Sequence, residues 1–312
     1  MKNFMHALLP SALATFPPTL PGVEGAVVDM AQRQAAPPPV MVSGTVQTPI
    51  VLASPHSGRF YPERFVQASR QPLAVLRSGE DSYIDLLAQP ANALGPTLVQ
   101  ATFPRVFCDP NRAAWDLDTR MFHGTIPSFV RPTERGLAGL GSIPRMTGNQ
   151  RPIYRARLPF SEAALRIRNY WMPYHTTLAD LLDQTRRRYG LCLLLDLHSM
   201  PDMPDNETAD FVLGDRHGAA CANTFVETAE RIVQGLGYST ARNTPYAGGY
   251  ITQHYGRPHD GRTPQHALQI EIRRSLYMDE ATHAPHAGFG RLADAIARLV
   301  EALLDDFSAH RR

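Results

Sequence analysis

Two histidines in this sequence follow runs of apolar residues. Residues 191–197 lead into His198, residues 49–54 lead through one proline into His56, and each histidine is followed by a serine. Such runs are typical of strands covered on both faces of a sheet, and the crevice beyond the carboxyl ends of these strands is the usual ligand site. One such histidine alone would more often be a hydrogen-bonded turn residue. Two of them at strand ends favour a metal site.

The acidic partner of these histidines has two candidates. A catalytic zinc ion takes about three protein ligands from His, Asp or Glu and keeps one position open, so a carboxylate is expected to join His56 and His198. Glu80 and Asp81 stand at the start of a helical pattern over residues 80–93. The alternative is that Asp81 is only the N-cap of that helix. Either carboxylate can be the third ligand.

Two further carboxylates lie on predicted strands. Asp196 stands two residues before His198 and therefore points to the same side of its strand, where it can orient the imidazole. Alternation along the last predicted strand places Glu271 on the face opposite its isoleucine neighbours. Because burying an unpaired carboxylate is costly, Glu271 is predicted to be a general base. The alternative is an ion pair with an arginine such as Arg273 or Arg274.

Asn111 and Arg112 form a candidate anion receptor. They follow a predicted strand over residues 96–102 and present an amide beside a forked guanidinium. That pair of groups matches the planar, two-oxygen geometry of a carboxylate better than a point charge would. The alternative is a surface salt bridge to Asp109. The favoured interpretation is that the substrate carries a carboxylate.

Composition excludes several classes of function. Lys2 is the only lysine, so a Schiff-base lysine, a pyridoxal-phosphate lysine and a phosphate-loop lysine are not expected. The net charge of +2 is scattered along the chain, which argues against a nucleic-acid or membrane-surface protein, and no stretch approaches the roughly 20 apolar residues of a membrane span. Three widely spaced cysteines form no disulfide framework, so a reducing cytoplasm is expected.

The elements that must position these residues alternate between strands and helices. Residues 1–40 are a Pro-rich arm that is predicted to be flexible, and residues 41–312 are predicted to form one catalytic domain with an irregular insertion at 122–160. The predicted strands are 41–54, 96–102, 191–197, 210–214 and 267–273. The predicted helices are 80–93, 161–189 with Ser161 as its cap, 217–235 and 286–308. This alternation is typical of an α/β domain with a central mixed, mostly parallel sheet flanked by helices.

Six motifs occur in a fixed order across about residues 45–280. They are Pro-His-Ser-Gly at 55–58, Asp-Ser-Tyr-Ile-Asp at 81–85, Asp-Pro-Asn-Arg at 109–112, Asp-Leu-His-Ser at 196–199, Gly-Gly-Tyr-Ile-Thr-Gln-His-Tyr-Gly at 248–256, and Glu271 followed by Tyr-Met-Asp-Glu at 277–280. Each is weak alone, but together they resemble the N-formylglutamate amidohydrolase family. The resemblance implies a phosphorylase/hydrolase-like fold, distantly related to zinc carboxypeptidases and aspartoacylases.

The resemblance also implies an activity. Members of this family hydrolyse the formamide of N-formyl-L-glutamate to formate and glutamate in histidine degradation, and the expected substrate is this compound or a close N-acyl amino acid with a free carboxylate. The implied cofactor is one divalent metal ion, Zn2+. Two alternatives remain: a carboxylate-binding protein without catalysis, and a zinc deacylase or carboxypeptidase that acts on a different N-acyl amino acid. The sequence does not indicate an oligomeric state.

Individual roles follow from the same resemblance. The implied metal ligands are His56, Asp81 and His198, with Glu80 as the competing acidic ligand, and the implied general base is Glu271. Asn111 and Arg112 form the carboxylate clamp, and Arg105 or Arg112 stabilises the oxyanion. Tyr250 and His254 are substrate contacts on a mobile loop. Zinc would lower the pKa of its water to about 7 and polarise the formyl carbonyl. Glu271 would accept the proton and return it to the leaving amine.

Overall fold

A seven-stranded sheet organises much of the chain beyond residue 40. The computed structural model describes residues 36–202, 209–261 and 263–309, and these divide into two compact units. One unit contains residues 59–80 and 102–179, and the other contains residues 41–58, 81–101 and the described chain from residue 180. The predicted arm at residues 1–40 lies mostly outside the described residues. That arm and the domain boundary at residue 41 therefore stay predictions.

The sheet is mixed and mostly parallel. The strands are β1 (Val40–Ser43), β2 (Ile50–Ser54), β3 (Thr97–Ala101), β4 (Phe122–His123), β5 (Leu158–Pro159), β6 (Cys192–Met200), β7 (Phe211–Gly214), β8 (Thr240–Arg242), β9 (Gln265–Arg273), β10 (Met278–Asp279) and β11 (Ala284–Pro285). The order across the large sheet is β1-β3-β2-β6-β9-β7-β8. Strands β3, β2, β6 and β9 run parallel, whereas β7 is antiparallel to β9 and parallel to β8. The carboxyl ends of β2, β6 and β9 consequently meet at one edge of the sheet.

Helices alternate with the strands along the described chain, so the predicted α/β class is confirmed. They are α1 (Glu63–Ala68), α2 (Leu73–Arg77), α3 (Ile84–Leu87), α4 (Gln89–Ala93), α5 (Glu134–Leu137), α6 (Phe160–Arg166), α7 (Met172–Tyr189), α8 (Asn223–Gly235), α9 (Tyr250–Tyr255) and α10 (Gly288–Ala309). A π-helical turn, Ile167–Trp171, joins α6 to α7. Within the described residues, none of these helices combines the length and the apolar character needed to cross a bilayer.

The two faces of β6 and β9 have different chemistry. Leu193, Leu195 and Leu197 belong to a hydrophobic core that also contains apolar side chains of α8 and α10. Because side chains alternate along a strand, the residues between those leucines, including Asp196 and His198, lie on the opposite face. All nine residues of β6 are nevertheless buried. A run that looks uniformly apolar at its start thus delivers polar groups to one covered face of the sheet.

Backbone conformation explains where two predicted boundaries are wrong. The predicted strand over residues 41–54 is two strands, because Gly44 adopts a φ of +84° at the end of β1. The helix predicted over residues 80–93 begins only at Ile84, and the preceding Tyr83 has a left-handed φ of 67°. Glu80 and Asp81 therefore precede the helix rather than forming its first turn, and Asp81 is not its N-cap.

Other differences concern single residues and short elements. The N-cap of α6 is Pro159, so Ser161 lies inside the helix and the predicted cap at Ser161 is wrong. Helix α8 begins at Asn223 rather than 217, after left-handed conformations at Arg216 and His217. Strand β8 has three residues, too few for an alternation pattern to indicate it. The segment at 122–160 is largely irregular and contains α5 and the paired strands β4 and β5.

Candidate active site

Three buried side chains bring potential metal ligands together at the carboxyl edge of the sheet. His56, Asp81 and His198 each offer one ligand atom, and these atoms lie within 4.8 Å of one another. Asp81 Oδ2 lies 3.3 Å from Nδ1 of His56 and 3.0 Å from Nδ1 of His198. The residues are 1%, 1% and 2% exposed, respectively. The two histidines predicted from strand ends are therefore neighbours, and a carboxylate stands between them.

Each of the three residues is positioned by a different local element. His198 lies on β6 itself, which extends three residues beyond the predicted end at 197. His56 follows β2 by two residues, and its backbone carbonyl accepts a hydrogen bond from the backbone N–H of Asp81 at 3.1 Å. This bond holds Asp81 against the strand end, and the left-handed Tyr83 then turns the chain into α3.

Polar groups behind this trio fix its orientation. Asp196 Oδ1 lies 3.0 Å from Nε2 of His198, so the imidazole is held between two carboxylates. Asp81 Oδ1 accepts hydrogen bonds from Arg274 at 3.2 Å and from the Ser199 hydroxyl at 3.3 Å. Asp81 therefore directs one oxygen to the histidines and the other to these donors. Partners of this kind fix the tautomer and geometry of metal-binding side chains.

The charges in this group support one another. Burial alone would raise the pKa of Asp81, but hydrogen bonding and charge interactions with the two histidines hold the pKa well below its usual range. Burial would likewise lower the pKa of His198, but Asp196 and then Asp81 and Glu271 raise it well above its usual range. The surroundings thus favour the charged forms of both Asp81 and His198.

The donor set fits a divalent metal ion. Two imidazole nitrogens and one carboxylate oxygen are the ligand types and the ligand number of catalytic zinc sites. Asp196, at 3.0 Å from the distal nitrogen of His198, supplies the outer carboxylate that such histidines usually contact. These residues can therefore hold a divalent metal ion.

Glu80, the competing acidic candidate, is engaged elsewhere. The Tyr61 hydroxyl donates a hydrogen bond to Glu80 Oε1 at 2.8 Å, and Arg77 Nε donates to the same oxygen at 3.2 Å. Burial and the Glu80 charge raise the pKa of Tyr61 above its usual range, so this hydroxyl keeps its proton and remains a donor. Of the two adjacent carboxylates, the structure brings Asp81 to the histidines.

Glu271 lies beside His198 on the neighbouring strand β9. The register of β6 and β9 places it directly opposite His198, and it is buried. The arginines of the alternative interpretation contact other carboxylates: Arg273 lies 2.5 Å from Asp210, and Arg274 contacts Asp81. A buried carboxylate next to the candidate metal ligands is the arrangement that a general base requires.

The candidate anion receptor is a tightly held turn in the other unit. Asp109 Oδ1 accepts the backbone N–H of Asn111 at 2.8 Å. Trp171 Nε1 donates to the carbonyl of Arg112 at 2.9 Å, and His175 Nε2 lies 2.8 Å from the carbonyl of Pro110. Helical spacing predicts Trp171 and His175 only as core residues, and they are buried. They also fix the backbone that carries Asn111 and Arg112.

Arg112 has an unusual environment for a cation. Within the described residues it forms no ion pair, and its buried Nε has no hydrogen-bond acceptor. Burial, followed by the charges of Arg105 and Arg135, lowers its pKa, while Asp109 opposes the change. Arg105 instead binds Asp109 at 2.8 Å. The salt bridge to Asp109 predicted as the alternative is therefore made by Arg105, and Arg112 keeps donor capacity for an anion.

Tyr250 and His254, the predicted substrate contacts, lie on the short helix α9, which follows Gly248 and Gly249. Gly249 is the N-cap of α9, and the rings of Tyr250 and His254 stack with centroids 5.1 Å apart. Burial and the charge of Arg257 lower the pKa of His254 to about 4, so His254 is uncharged at neutral pH. Burial raises the pKa of Tyr250, which therefore keeps its hydroxyl proton. Both rings can serve as neutral hydrogen-bonding contacts.

Two buried polar residues, Gln269 and Thr252, contact the carboxylates of Glu271 and Asp196, although neither is predicted as a site residue. Gln269 Nε2 donates to Glu271 Oε1 at 2.9 Å, and the Thr252 hydroxyl lies 3.3 Å from Asp196 Oδ2. The alternation along β9 puts Gln269 on the same face as Glu271, and that period is the signal that could have identified it. Thr252 has no such signal, because its position depends on where α9 packs.

The chain is similar in sequence to known proteins. The sequence profile described as N-formylglutamate amidohydrolase matches residues 48–278. N-formylglutamate deformylase from Pseudomonas aeruginosa PAO1 is 31% identical over 274 residues, which cover 85% of this chain and 95% of the relative. The enzyme of the same name from Pseudomonas putida is 32% identical over 242 residues, 74% of this chain and 82% of the relative.

Solved structures extend the likeness to three dimensions. The crystal structure of N-formylglutamate amidohydrolase from Ralstonia eutropha JMP134 has a TM-score of 0.79 and 37% identity, covering 88% of this chain and 99% of that one. A gene product of Agrobacterium tumefaciens, only 16% identical, shares the fold with a TM-score of 0.64 over 88% of this chain and 98% of that one. The profile match covers well over half of the sequence, and the chain belongs to the N-formylglutamate amidohydrolase family.

Proposed function

We propose that this protein hydrolyses the formamide of N-formyl-L-glutamate to formate and glutamate, with one Zn2+ as cofactor. The observation that carries the proposal is the buried His56–Asp81–His198 group with Glu271 on the adjacent strand position. The activity named for the two Pseudomonas relatives and for the Ralstonia enzyme supports the substrate. A place for the reaction in histidine degradation belongs to the same proposal.

The chemistry divides between the cofactor and the side chains. Zn2+ held by His56, Asp81 and His198 would polarise the formyl carbonyl and make an attacking water more acidic. Glu271 accepts a proton from that water and delivers it to the amine nitrogen as the C–N bond breaks. Arg105 or Arg112 donates to the oxyanion. One well-placed donor of this type is worth about 3 to 4 kcal/mol.

A substrate screen combined with metal analysis tests the proposal. Purified protein should contain about one zinc per chain and should hydrolyse N-formyl-L-glutamate faster than the N-formyl and N-acyl derivatives of Asp, Gln and His. Faster cleavage of another N-acyl amino acid would instead identify a deacylase of different specificity. Carboxylate binding without turnover by the zinc-loaded protein would leave the non-catalytic alternative. Chelation followed by zinc addition distinguishes a missing cofactor from a missing activity.

We expect Arg112→Lys to weaken catalysis although the positive charge is kept. A guanidinium binds a carboxylate through two parallel hydrogen bonds, and an ammonium group cannot reproduce that geometry. The loss should appear mainly in KM if the clamp binds ground and transition states equally, and in kcat if Arg112 also donates to the oxyanion. Arg120→Lys is a matched control, because Arg120 is an exposed arginine that pairs with Asp118.

Chemical modification of the substrate provides an independent check on this clamp. Esters or amides of the substrate carboxylates should be poor substrates of the unmodified enzyme, since they remove the charge that Arg112 is proposed to bind. Arg112→Lys should reduce the turnover of these esters and amides by a smaller factor than the turnover of the free acid. Equal turnover of the neutral ester and the free acid by the unmodified enzyme would contradict the clamp and the assignment to N-formyl-L-glutamate.

A further inference from the structure

Gln269 occupies the centre of a buried hydrogen-bond network beside the candidate general base. Its Nε2 donates to Glu271 Oε1 at 2.9 Å. Its Oε1 accepts the backbone N–H of Gly249 at 2.7 Å and lies 3.4 Å from the hydroxyl of Thr252. Gln269 is 3% exposed and Thr252 is 0% exposed. Two residues of the helix segment that carries Tyr250 are thereby joined to the carboxylate.

The orientation of the Gln269 amide is determined by its partners. A backbone N–H can only donate, so the atom facing Gly249 must be the amide oxygen. The amide NH2 group consequently faces Glu271, where it can donate to a charged carboxylate. Hydrogen bonds to a charged acceptor are shorter and stronger than neutral ones. Rotating the amide by half a turn would set two donors against each other at Gly249 and two acceptors against each other at Glu271.

The same network extends to Asp196, which contacts Nε2 of His198. The register of β6 and β9 sets Asp196 opposite Gln269 and His198 opposite Glu271, so four polar side chains occupy adjacent positions on one face of two strands. The Thr252 hydroxyl lies 3.3 Å from Asp196 Oδ2 on β6 and 3.4 Å from Gln269 Oε1 on β9, so it contacts both strands.

We propose that Gln269 is a positioning residue that fixes the carboxylate of Glu271 and ties it to the start of α9. The proposal rests on the function proposed above, because it assigns Gln269 a part in placing the general base of that reaction. The bond from Gln269 holds Oε1 of Glu271 at one position. A carboxylate held at a single rotamer transfers protons more efficiently, because small misplacements of a catalytic group reduce the rate strongly.

The variant Gln269→Glu tests this role directly. It keeps an oxygen for the N–H of Gly249 and the hydroxyl of Thr252 but cannot donate to Glu271. We expect kcat to fall at least about tenfold, the KM to change less than about threefold, and the zinc content to be unchanged, since a displaced base affects the chemical step rather than substrate binding.

Gln265 provides a matched control on the same strand. It also lies on β9, on the same face and buried, and its Nε2 donates to the carbonyl of Tyr255 at the end of α9. Gln265→Glu removes an equivalent amide donor between the same two elements without touching Glu271. Its kcat should stay within about twofold of the unmodified enzyme. If either glutamate variant fails to fold, the pair Gln269→Leu and Gln265→Leu makes the same comparison.

An exchange of the two side chains tests the contact without relying on activity. Gln269→Glu should lower Tm because two buried carboxylates then face each other. Adding Glu271→Gln restores a donor and an acceptor in reversed positions, so the double variant should recover at least half of the lost Tm while remaining inactive. This readout is informative even if the unmodified protein does not hydrolyse N-formyl-L-glutamate, in which case the proposed function fails separately.

Three results would overturn the role assigned to Gln269. The first is a kcat for Gln269→Glu that falls no further than that of Gln265→Glu. The second is a Tm for the exchanged variant that is no higher than that of Gln269→Glu alone. The third is a loss of zinc in Gln269→Glu, because the change would then act through the metal ligands rather than through Glu271.

Discussion

The variant Glu271→Gln is expected to keep its fold and its metal but to lose at least about 100-fold in kcat, the low end of what a positioned general base contributes. Glutamine has the shape of glutamate but cannot accept a proton at neutral pH. Glu271 is buried, lies opposite His198 and accepts a hydrogen bond from Gln269. Steady-state kinetics on N-formyl-L-glutamate, with zinc analysis of the same preparation, measures the effect.

A control separates loss of the base from loss of structure. Glu80→Gln makes the same substitution at another buried glutamate, where Tyr61 and Arg77 are the partners. Its Tm is compared directly with that of Glu271→Gln, and its kcat should remain close to that of the unmodified enzyme. Near-normal turnover in Glu271→Gln, with Tm reduced, would show that Glu271 is a structural ion partner and that another group moves the proton.

Strand periodicity predicts Glu271 on β9, but it ends the neighbouring strand at residue 197, whereas β6 continues to Met200 and carries His198 itself. Glu271 interrupts an apolar alternation, and such a position is noticeable because an unpaired buried charge is costly. The same alternation also places Gln269 beside Glu271. The sequence does not single out Gln269, because burying a neutral amide costs much less than burying a carboxylate.

Which of the two carboxylates lies beside the histidines depends on backbone details that a pattern cannot supply. Glu80 and Asp81 are adjacent and similar in chemistry, and both are buried. The choice between them is made by the hydrogen bond from the Asp81 N–H to the His56 carbonyl and by the left-handed conformation of Tyr83. A left-handed conformation is uncommon for a tyrosine, so propensity alone would not place it there.

Long-range packing accounts for the remaining differences. The turn that carries Arg112 is fixed by Trp171 and His175, about 60 positions further along the chain. Helical spacing predicts that these residues lie on a buried face, and they are buried, but it does not indicate which backbone groups they contact. Similarly, the glycine pair at 248–249 predicts a loop, and both glycines precede α9, but the pattern does not show that the N–H of Gly249 binds Gln269 and anchors the start of that helix.

The last prediction concerns the metal ligands. We expect His56→Ala, Asp81→Asn and His198→Ala each to lose stoichiometric zinc and to reduce turnover of N-formyl-L-glutamate to the background of the assay. Each substitution removes one of three ligand atoms that lie within 4.8 Å of one another, and a catalytic zinc site with three protein ligands cannot keep its affinity with two. Asp81→Asn is the sharpest of the three, because it preserves volume and removes only the charge.

Matched controls distinguish loss of a ligand from general damage. His266→Ala removes another buried histidine, one that accepts the backbone N–H of Ala222 and packs on Phe225, and it should keep a full zinc complement. Glu80→Gln should keep zinc as well, whereas Asp81→Asn should not, although the two residues are neighbours in the chain. Elemental analysis after dialysis measures the zinc content, and the Tm in the presence of chelator measures the stability of the fold without metal. Full zinc in Asp81→Asn together with loss of zinc in Glu80→Gln would transfer the acidic ligand to Glu80, and full zinc in both histidine variants would rule out this group as the metal site.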